Sequence, residues 1–272
     1  MTTEQKTALI TGATSGIGAA FARRFARDGY ALVLTGRRAG EIGAVADTLR
    51  AEHGVDVRVI LAELSEAAGQ DRVLAAIRET PRLEVLVNNA GFGLRGRFHE
   101  APIDELMRML NVHAAATSRL THAALPSMLA RGSGAIINVS SIAAFQPYPG
   151  NAMYGASKLF VNGLSEALHL ELRGTGVRVQ ALCPGLTRTN FQARLGERPV
   201  YPDRGLRRAM NADEVVESSL AALAKDQAVC VPGLHNRFVT LMTRKLPRPF
   251  VYRVIGRMFD GRASSRSPSP AK

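Results

Sequence analysis

The sequence is poor in the residues that stabilise small folds covalently or through metal ions. Its 272 residues include two cysteines, Cys183 and Cys230, which lie far apart and form no C-x-x-C pair. We therefore expect both thiols to be reduced and structural. The chain also has six histidines, His53, His99, His113, His122, His169 and His235. They form no H-E-x-x-H motif or cluster, so we expect no metal, and histidines that pack on helices or lie at the surface.

Long hydrophobic runs are also missing. No continuous apolar segment approaches about 18 residues, the length that crosses a bilayer as a helix. The first residues, Met1 to Lys6, are polar and lack the basic region and apolar stretch of a signal peptide. We therefore expect a cytoplasmic protein without a membrane span.

Acidic residues are scarce relative to basic ones. The chain has 23 aspartates and glutamates against 35 lysines and arginines, a formal net charge of +12. From Leu234 to the C-terminus, nine basic residues accompany a single acidic one, Asp260. The rest of the chain carries the modest excess that is ordinary for an enzyme. A role in binding nucleic acid or membrane would therefore lie in the C-terminal stretch.

The sequence does contain an alternation of short aliphatic runs with longer helical patterns. The predicted strands are Thr7–Ile10, Ala31–Leu34, Asp56–Leu61, Val85–Val87, Ala135–Val139, Arg178–Leu182 and Val229–Val231. The predicted helices between them are Ile17–Asp28, Ala39–Glu52, Ala67–Glu79, Ile103–Ala130, Ala152–Arg173 and Ala212–Lys225. This order predicts an α/β fold with a Rossmann-type doubly wound parallel sheet of about seven strands, flanked by helices.

The last third of the chain departs from this alternation. The segment Thr189–Met210 holds two prolines and five arginines, which indicates a mobile lid or substrate loop. We assign residues 1–233 to one catalytic domain, residues 234–262 to a basic, amphipathic helical extension and residues 263–272 to a disordered tail. The extension either packs over the substrate cleft or presents its apolar side to an anionic membrane.

A glycine-rich segment follows the first predicted strand and opens the first helix. It reads Thr11-Gly12-Ala13-Thr14-Ser15-Gly16-Ile17-Gly18. Glycines let the backbone turn tightly and approach a pyrophosphate, whose negative charge is favoured at the N-terminus of a helix. By itself the segment also fits a simple glycine-rich turn, and its G-x-x-x-G-x-G spacing differs from G-x-G-x-x-G.

A tyrosine and a lysine four residues apart carry the candidate chemistry. Tyr154 and Lys158 share one face of a predicted helix, so the ammonium group can lie near the phenol. A free tyrosine has a pKa near ~10, and a neighbouring cation lowers it by favouring the phenolate. Ser141 can donate its hydroxyl hydrogen to a substrate carbonyl; the adjacent Ser140 is its rival, but the spacing to Tyr154 favours Ser141. In isolation, a Tyr–Lys pair is usually a surface feature of an amphipathic helix.

Together these segments resemble the classical short-chain dehydrogenase/reductase family. The motifs that carry the resemblance are, in order, the glycine-rich segment, Asn88-Asn89-Ala90-Gly91, Asn111, Ser141, Tyr154-Gly155-Ala156-Ser157-Lys158 and Pro184-Gly185. The resemblance covers Thr7 to Val231 and implies an NAD(P)-dependent oxidoreductase that interconverts a carbonyl and an alcohol. The catalytic residues that it implies are Asn111, Ser141, Tyr154 and Lys158. Asn111 in this pattern bends its helix and anchors a water that passes protons to Lys158.

The same resemblance implies the residues that contact the cofactor. Besides Tyr154 and Lys158, these are Gly12, Thr14, Ser15, Gly16, Ile17, Gly18, Arg37, Arg38, Glu63, Leu64, Asn89, Ala90, Gly91, Pro184, Gly185, Thr187 and Thr189. Gly36 stands where NAD-preferring relatives carry aspartate, and Arg37 follows it. This favours NADP(H), with NAD(H) as the second choice; the alternative is two solvated arginines in a turn. Glu63 follows the third strand where the family has an aspartate that contacts adenine, which leaves that contact open.

The motifs and the C-terminal extension together indicate the expected partners and the alternative functions. We expect a fairly hydrophobic carbonyl or alcohol substrate, as in the branch of ketoacyl and steroid reductases that the chain resembles. The resemblance also implies a homo-oligomer, a dimer or a tetramer, formed through the helices of Asn111 and Tyr154. One alternative is a catalytically silent NADP-binding regulatory protein, which the complete catalytic set disfavours. Another is a reductase of lipid or steroid type that contacts the membrane through its C-terminal helices. Nucleic acid is disfavoured, because the aromatic residues there lie mostly on the apolar side of each helix.

Overall fold

Seven parallel strands form the centre of the molecule. The computed structural model describes residues 5–191, 201 and 208–264. The strands of the main sheet are β1 (Thr7–Thr11), β2 (Ala31–Gly36), β3 (Val57–Leu61), β4 (Leu83–Asn88), β5 (Gly134–Val139), β6 (Val177–Leu182) and, last in the chain, β9 (Val229–Cys230). Two shorter strands, β7 (Thr187–Arg188) and β8 (Met210–Asn211), pair in parallel with each other. The predicted doubly wound α/β fold is confirmed.

Helices cover both faces of this sheet. They are α1 (Gly16–Arg27), α2 (Ala39–His53), α3 (Ala67–Glu79), α4 (Ile103–Leu110), α5 (Thr117–Arg131), α6 (Ala152–Glu171), α7 (Ala212–Ala224), α8 (Leu234–Lys245) and α9 (Arg248–Ser264). A π-helix (Asn111–Ala116) joins α4 to α5, and a short 3₁₀ helix (Ile142–Phe145) follows β5.

The strand order places a crevice at the middle of the sheet. The order is β3-β2-β1-β4-β5-β6-β9, so the chain winds outward from β1 to β3 and then crosses to β4 on the other side of β1. The loops after β1 and β4 therefore leave the sheet toward opposite faces. In open α/β sheets, ligands bind in the crevice at this reversal, beyond the carboxyl ends of the strands.

Alternating side chains of the strands build two apolar layers. Leu9 and Leu86 pack on one face, under α3 and α5, whereas Ile10 and Val87 pack on the other, under α1 and α2. Because successive side chains of a strand point to opposite faces, both layers need aliphatic residues. Each of the central strands therefore appears as a continuous apolar run in the sequence.

The two cysteines are neighbours in the fold although they are distant in sequence. Cys183 follows β6, and its backbone N–H donates to the Cys230 carbonyl at 2.7 Å. Both thiols are free and buried. Burial raises the pKa of Cys183 to about 12 and that of Cys230 to about 11. Both therefore stay protonated at neutral pH, in line with the reduced, structural cysteines that we expected.

The long helix predicted over Ile103–Ala130 is interrupted, which corrects that prediction. At Asn111 the α-helix changes to a π-helix that lasts until Ala116, and α5 then continues. The Asn111 side-chain amide donates to the Ser65 carbonyl at 3.1 Å, outside its own helix. A π-turn adds one residue to the turn and is frequent at functional sites. The family resemblance implied that Asn111 bends its helix, but the change to π-type backbone hydrogen bonds was not predicted from the side-chain pattern.

Residues 234–264 form two helices at the end of the described chain. Thr240 on α8 and Val251 on α9 are buried. Helix α9 includes Ala263 and Ser264, which we had predicted to be part of the disordered tail. The rest of that tail lies outside the described residues, as does most of the predicted lid over Thr189–Met210. Within residues 5–191 and 208–264, no helix combines the length and the apolar character that crossing a bilayer requires.

Candidate active site

A cleft of about 390 Å³ opens at the carboxyl ends of the central strands. Three of the four predicted catalytic residues line it, Ser141, Tyr154 and Lys158. The predicted cofactor residues that also line it are Gly12, Thr14, Ser15, Gly16, Ile17, Arg37, Arg38, Glu63, Leu64, Asn89, Ala90, Gly91, Pro184, Gly185, Thr187 and Thr189. Gly18 and Asn111 are not part of the lining. Gly18 packs instead against the Asn89 side-chain amide.

The loop after β1 has a backbone that requires glycine. Gly12 and Gly16 have φ angles of +66° and +60°. A Cβ atom on Gly12 would lie 2.9 Å from the Ala90 Cα, and one on Gly16 would lie 3.0 Å from Thr189. The Asn89 side-chain amide donates to the carbonyls of Thr11 and Gly12 at 2.9 and 3.1 Å. The loop after β4 thus holds the glycine loop, which leads directly into the N-terminus of α1.

An arginine and a glutamate meet where the loops after β2 and β3 face each other. Arg37 Nη1 lies 3.0 Å from Glu63 Oε2, and the other Glu63 oxygen accepts from the backbone N–H and hydroxyl of Ser65 at 3.0 and 2.8 Å. Burial alone raises the pKa of Glu63, but the hydrogen bonds from Ser65 and Arg37 outweigh it, so the pKa lies below its usual value. Glu63 is therefore ionised and holds Arg37 at the cleft edge.

The two adjacent serines after β5 have different surroundings. The Ser140 hydroxyl is buried and donates to the Lys158 carbonyl at 2.9 Å. Ser141 is the N-cap of the 3₁₀ helix, accepts a hydrogen bond from the Ala143 N–H at 3.1 Å and hydrogen-bonds Tyr154. Ser140 therefore anchors the backbone of α6, whereas Ser141 has its hydroxyl at the phenol.

Helix α6 presents Tyr154 and Lys158 to the cleft one turn apart. Lys158 Nζ lies 5.7 Å from the centroid of the Tyr154 ring and donates to the Val139 carbonyl at 2.9 Å. Burial raises the pKa of Tyr154 to about 12, against a hydrogen bond from Ser141 that lowers it. Burial lowers the pKa of Lys158 to about 8. At neutral pH the phenol keeps its proton and the lysine keeps its charge. The lowered tyrosine pKa that we expected is therefore reversed by burial in the structure.

The open side of the cleft is lined by aromatic rings that the sequence motifs did not reveal. The rings of Tyr148 and Phe191 lie 6.3 and 5.9 Å from that of Tyr154. Phe92 lines the same wall beside His113. These residues come from loops after three different strands, and no spacing rule links them. Their one signal in the sequence is that they lie in the segments that follow predicted strands.

Helix α8 of the C-terminal extension packs on segments that border the cleft. Gly185 packs against the Asn236 side chain of α8 so closely that a side chain would not fit. The Arg244 guanidinium lies 5.7 Å from the ring centroid of Phe145 in the 3₁₀ helix. The extension therefore contacts both the Pro184-Gly185 loop and the segment after Ser141.

Comparisons with known proteins agree with this geometry. The family model for short chain dehydrogenase matches residues 6–199. Sulfoacetaldehyde reductase of Chromohalobacter salexigens is 42% identical over 67% of this chain and 72% of its own. A short-chain dehydrogenase from Sphingobium yanoikuyae, solved in complex with NADPH, is 35% identical, with a TM-score of 0.80 over 98% of both chains. The bulky-bulky ketone specific alcohol dehydrogenase from Comamonas testosteroni is 31% identical, with a TM-score of 0.75 over 99% of this chain and 98% of its own.

Proposed function

The chain belongs to the short-chain dehydrogenase family and is an NAD(P)-dependent oxidoreductase that interconverts a carbonyl and an alcohol, and we propose that it prefers NADPH and reduces a bulky, hydrophobic ketone or aldehyde. The observation that carries this proposal is the position of Tyr154, which is surrounded by aromatic rings at the end of a glycine-lined cleft.

The residues present fit a dinucleotide that carries a 2′-phosphate. The glycine loop lines the cleft at Gly12 and Gly16, and it leads into the N-terminus of α1. Arg37 and Arg38 lie at the far end of the cleft, more than half exposed. Guanidinium groups suit phosphate because they offer several donors in one plane. The complexes of structural relatives with NADPH and with 5-hydroxy-NADP support the same preference.

Residues of this chain provide the proton donor for the reaction and the groups that orient and stabilise it. Tyr154 donates its proton to the carbonyl oxygen, and Ser141 hydrogen-bonds the same oxygen and holds it at the phenol. The Lys158 ammonium stabilises the phenolate that remains. Asn111 anchors a water that returns a proton toward Lys158. The nicotinamide cofactor, when bound, supplies the hydride for the carbonyl carbon.

A cofactor titration tests the nucleotide preference. We expect the parent to bind NADPH more tightly than NADH, and Arg37→Asp to weaken NADPH binding about 10–100-fold, because a charged hydrogen bond to phosphate is lost. Nicotinamide fluorescence measures both dissociation constants. The matched control is Arg58→Asp, which makes the same charge change on β3 at an arginine outside the cleft lining. Equal NADPH and NADH affinities in the parent would reject the preference.

A substrate panel tests the hydrophobic ketone. Phe92, Tyr148 and Phe191 favour a ring-bearing carbonyl, and the bulky ketones of the Comamonas relative support this choice. The opposing candidate is a short anionic aldehyde, as in the sulfoacetaldehyde reductase. We expect a higher kcat/KM for bulky aryl ketones than for sulfoacetaldehyde, and a lower ketone kcat/KM in Phe191→Ala. The opposite ranking excludes the bulky substrate, and no turnover of any carbonyl favours a silent NADP-binding protein.

We propose a second copy of this chain as the partner of the exposed side of α4 and α6. Ile103 and Met107 lie one turn apart on α4 and are 60% and 44% exposed. Leu159 and Phe160 on the adjacent α6 are 58% and 45% exposed. Apolar patches of this kind mark protein interfaces. Light scattering with size-exclusion chromatography tests the proposal: we expect a dimer or tetramer, and smaller species in Phe160→Glu.

We propose an anionic membrane surface as the partner of α8. Leu234, Phe238 and Leu241 share one side of the helix and are 75%, 61% and 49% exposed. Arg237, Arg244 and Lys245 flank them, and Asp260 is the single acid from Leu234 to the C-terminus. Apolar side chains bordered by basic ones suit an anionic lipid surface.

Sedimentation with vesicles separates this partner from others. We expect binding to phosphatidylcholine vesicles only when phosphatidylserine is included, and loss of binding in the double variant Phe238→Ser, Leu241→Ser. Leu129→Ser removes an exposed leucine from α5 instead and serves as the control. Absence of binding, or equal binding to neutral vesicles, rejects the membrane role.

A further inference from the structure

A histidine that the proposed chemistry does not use lies at the back of the active site. His113 is two residues after Asn111 in the π-helix and is 1% exposed. Its ring lies 5.7 Å from the Tyr154 ring, edge to face, and 6.2 Å from the Phe92 ring. From the sequence we expected a surface or helix-packing residue, whereas the structure places His113 in the cleft wall.

Hydrogen bonds determine which ring nitrogen of His113 carries the proton. The Phe92 backbone N–H donates to His113 Nε2 at 3.2 Å, so this nitrogen accepts. The hydrogen of the neutral ring is therefore on Nδ1, which lies 2.8 Å from Ser157 Oγ and donates to it. Ser157 Oγ in turn donates to the Tyr154 carbonyl at 2.8 Å. A directed chain thus runs from the loop after β4 through His113 and Ser157 to the backbone of Tyr154.

The charge of His113 agrees with this arrangement. Burial, and to a smaller extent the positive charge of Lys158, hold the pKa of His113 well below its usual value. The titratable groups that face it from α6 are Lys158 and Tyr154, and the loop segment Asn89–Phe92 contributes none. A protonated ring would point an N–H at the Phe92 N–H, so the neutral form alone preserves the chain of hydrogen bonds.

The neighbouring loop is fitted to the imidazole. A Cβ atom on Gly91 would lie 2.8 Å from His113 Nε2, so glycine at this position lets the loop approach the ring. The same loop holds the glycine segment through Asn89. His113 therefore connects the loop that positions the cofactor segment with the helix that presents the tyrosine.

We propose that His113 is a positioning residue, which fixes Tyr154 relative to the loop after β4 by hydrogen bonding Phe92 and Ser157 at once. The proposal rests on the proposed role of Tyr154 as proton donor. Small displacements of a proton donor are costly, because reaction requires close and aligned atoms. Loss of His113 therefore lowers the rate of the chemical step rather than the affinity for cofactor or substrate.

A double-mutant cycle tests this chain of hydrogen bonds. We expect His113→Leu to lower kcat about tenfold, Ser157→Ala to lower it less, and the double variant to be no worse than His113→Leu. KM and the NADPH dissociation constant stay within about twofold of the parent. His113→Gln can still accept from the Phe92 N–H, and we expect it to recover part of kcat. His122→Leu, at an exposed position on α5, is the matched control and keeps the parent kcat.

The outcomes separate this inference from the proposed function. If Tyr154→Phe is inactive but His113→Leu keeps the parent kcat, His113 does not position the tyrosine. Losses that multiply in the double variant, or that fall on KM alone, also overturn the proposal. If Tyr154→Phe keeps full turnover, the proposed proton donor itself is wrong. Should His113→Leu fail to fold, an unchanged kcat in Ser157→Ala and His113→Gln overturns the inference.

Discussion

The two ends of the cleft are built in different ways. At the end proposed to bind the cofactor, the cleft is formed mainly by backbone and short side chains of the loops after β1 and β4, and glycine is required where the loops touch. At the end proposed to bind the substrate, large side chains such as Phe92, Tyr148 and Phe191 come from distant segments. Close backbone contacts require particular residues, such as glycine, at fixed spacing in the sequence. A wall formed by side chains requires only residues of suitable size and polarity. The backbone contacts therefore appear in the sequence as a motif, whereas the side-chain wall does not.

The largest effect is expected from removing the Tyr154 hydroxyl, which lies where the two ends of the cleft meet. We expect Tyr154→Phe to lower kcat for carbonyl reduction by about 10²–10⁴-fold, because the proton donor is lost. NADPH binding, measured by fluorescence, stays near the parent value. The control is Tyr252→Phe on α9, which deletes an exposed hydroxyl. Full turnover in Tyr154→Phe with every accepted substrate contradicts the mechanism.

Adding one methyl group to the glycine loop, at Gly12, tests whether this loop binds the nucleotide. We expect Gly12→Ala to raise the NADPH dissociation constant about tenfold, because the residue has a positive φ and the new Cβ meets the Ala90 backbone. Turnover at saturating NADPH changes less than binding. Gly43→Ala is the matched control, since a Cβ there contacts nothing within 4 Å. Unchanged affinity in Gly12→Ala means that the loop does not hold the nucleotide.

The pH dependence sharpens the contrast between the two titratable residues of the site. The pKa of Lys158 is lowered to about 8 and that of Tyr154 is raised to about 12. As the pH rises through about 8, the ammonium loses its proton while the phenol keeps its own. We therefore expect kcat/KM for reduction to fall several-fold between neutral pH and pH ~9. A rate that stays flat to pH ~10 contradicts this expectation, and the same fall in Lys158→Met assigns the change to another group.

The smallest effect on catalysis is expected in the C-terminal helices. Val251 is 4% exposed on α9, and we expect Val251→Ala to lower the free energy of unfolding by about 1–2 kcal/mol through lost apolar burial. NADPH affinity changes less than about twofold. Denaturant unfolding and fluorescence titration measure the two quantities. Val254→Ala removes the same atoms from a valine that is 41% exposed, and little change is expected there. If both variants have the same free energy of unfolding as the parent, α9 does not unfold together with the domain.

Several features of the molecule were determined by the sequence itself. The central strands and the order of the motifs could be predicted, since aliphatic runs and glycine spacing are properties of a few consecutive residues. The pairing of Tyr154 with Lys158 follows from helical geometry alone. Arg37 at the end of the cleft follows from its position after β2. Each of these predictions depends on one element and its adjoining loop.

Other features were decided by the tertiary structure alone. The sequence favoured Ser141 over Ser140, but the hydrogen bonds that these two serines make depend on how β5 packs against α6. The contacts of His113 depend on a π-turn, a loop and a helix meeting at one point. The raised pKa of Tyr154 depends on burial that several segments produce together. Such properties arise where residues distant in the chain approach within hydrogen-bond distance, and no local pattern encodes that approach.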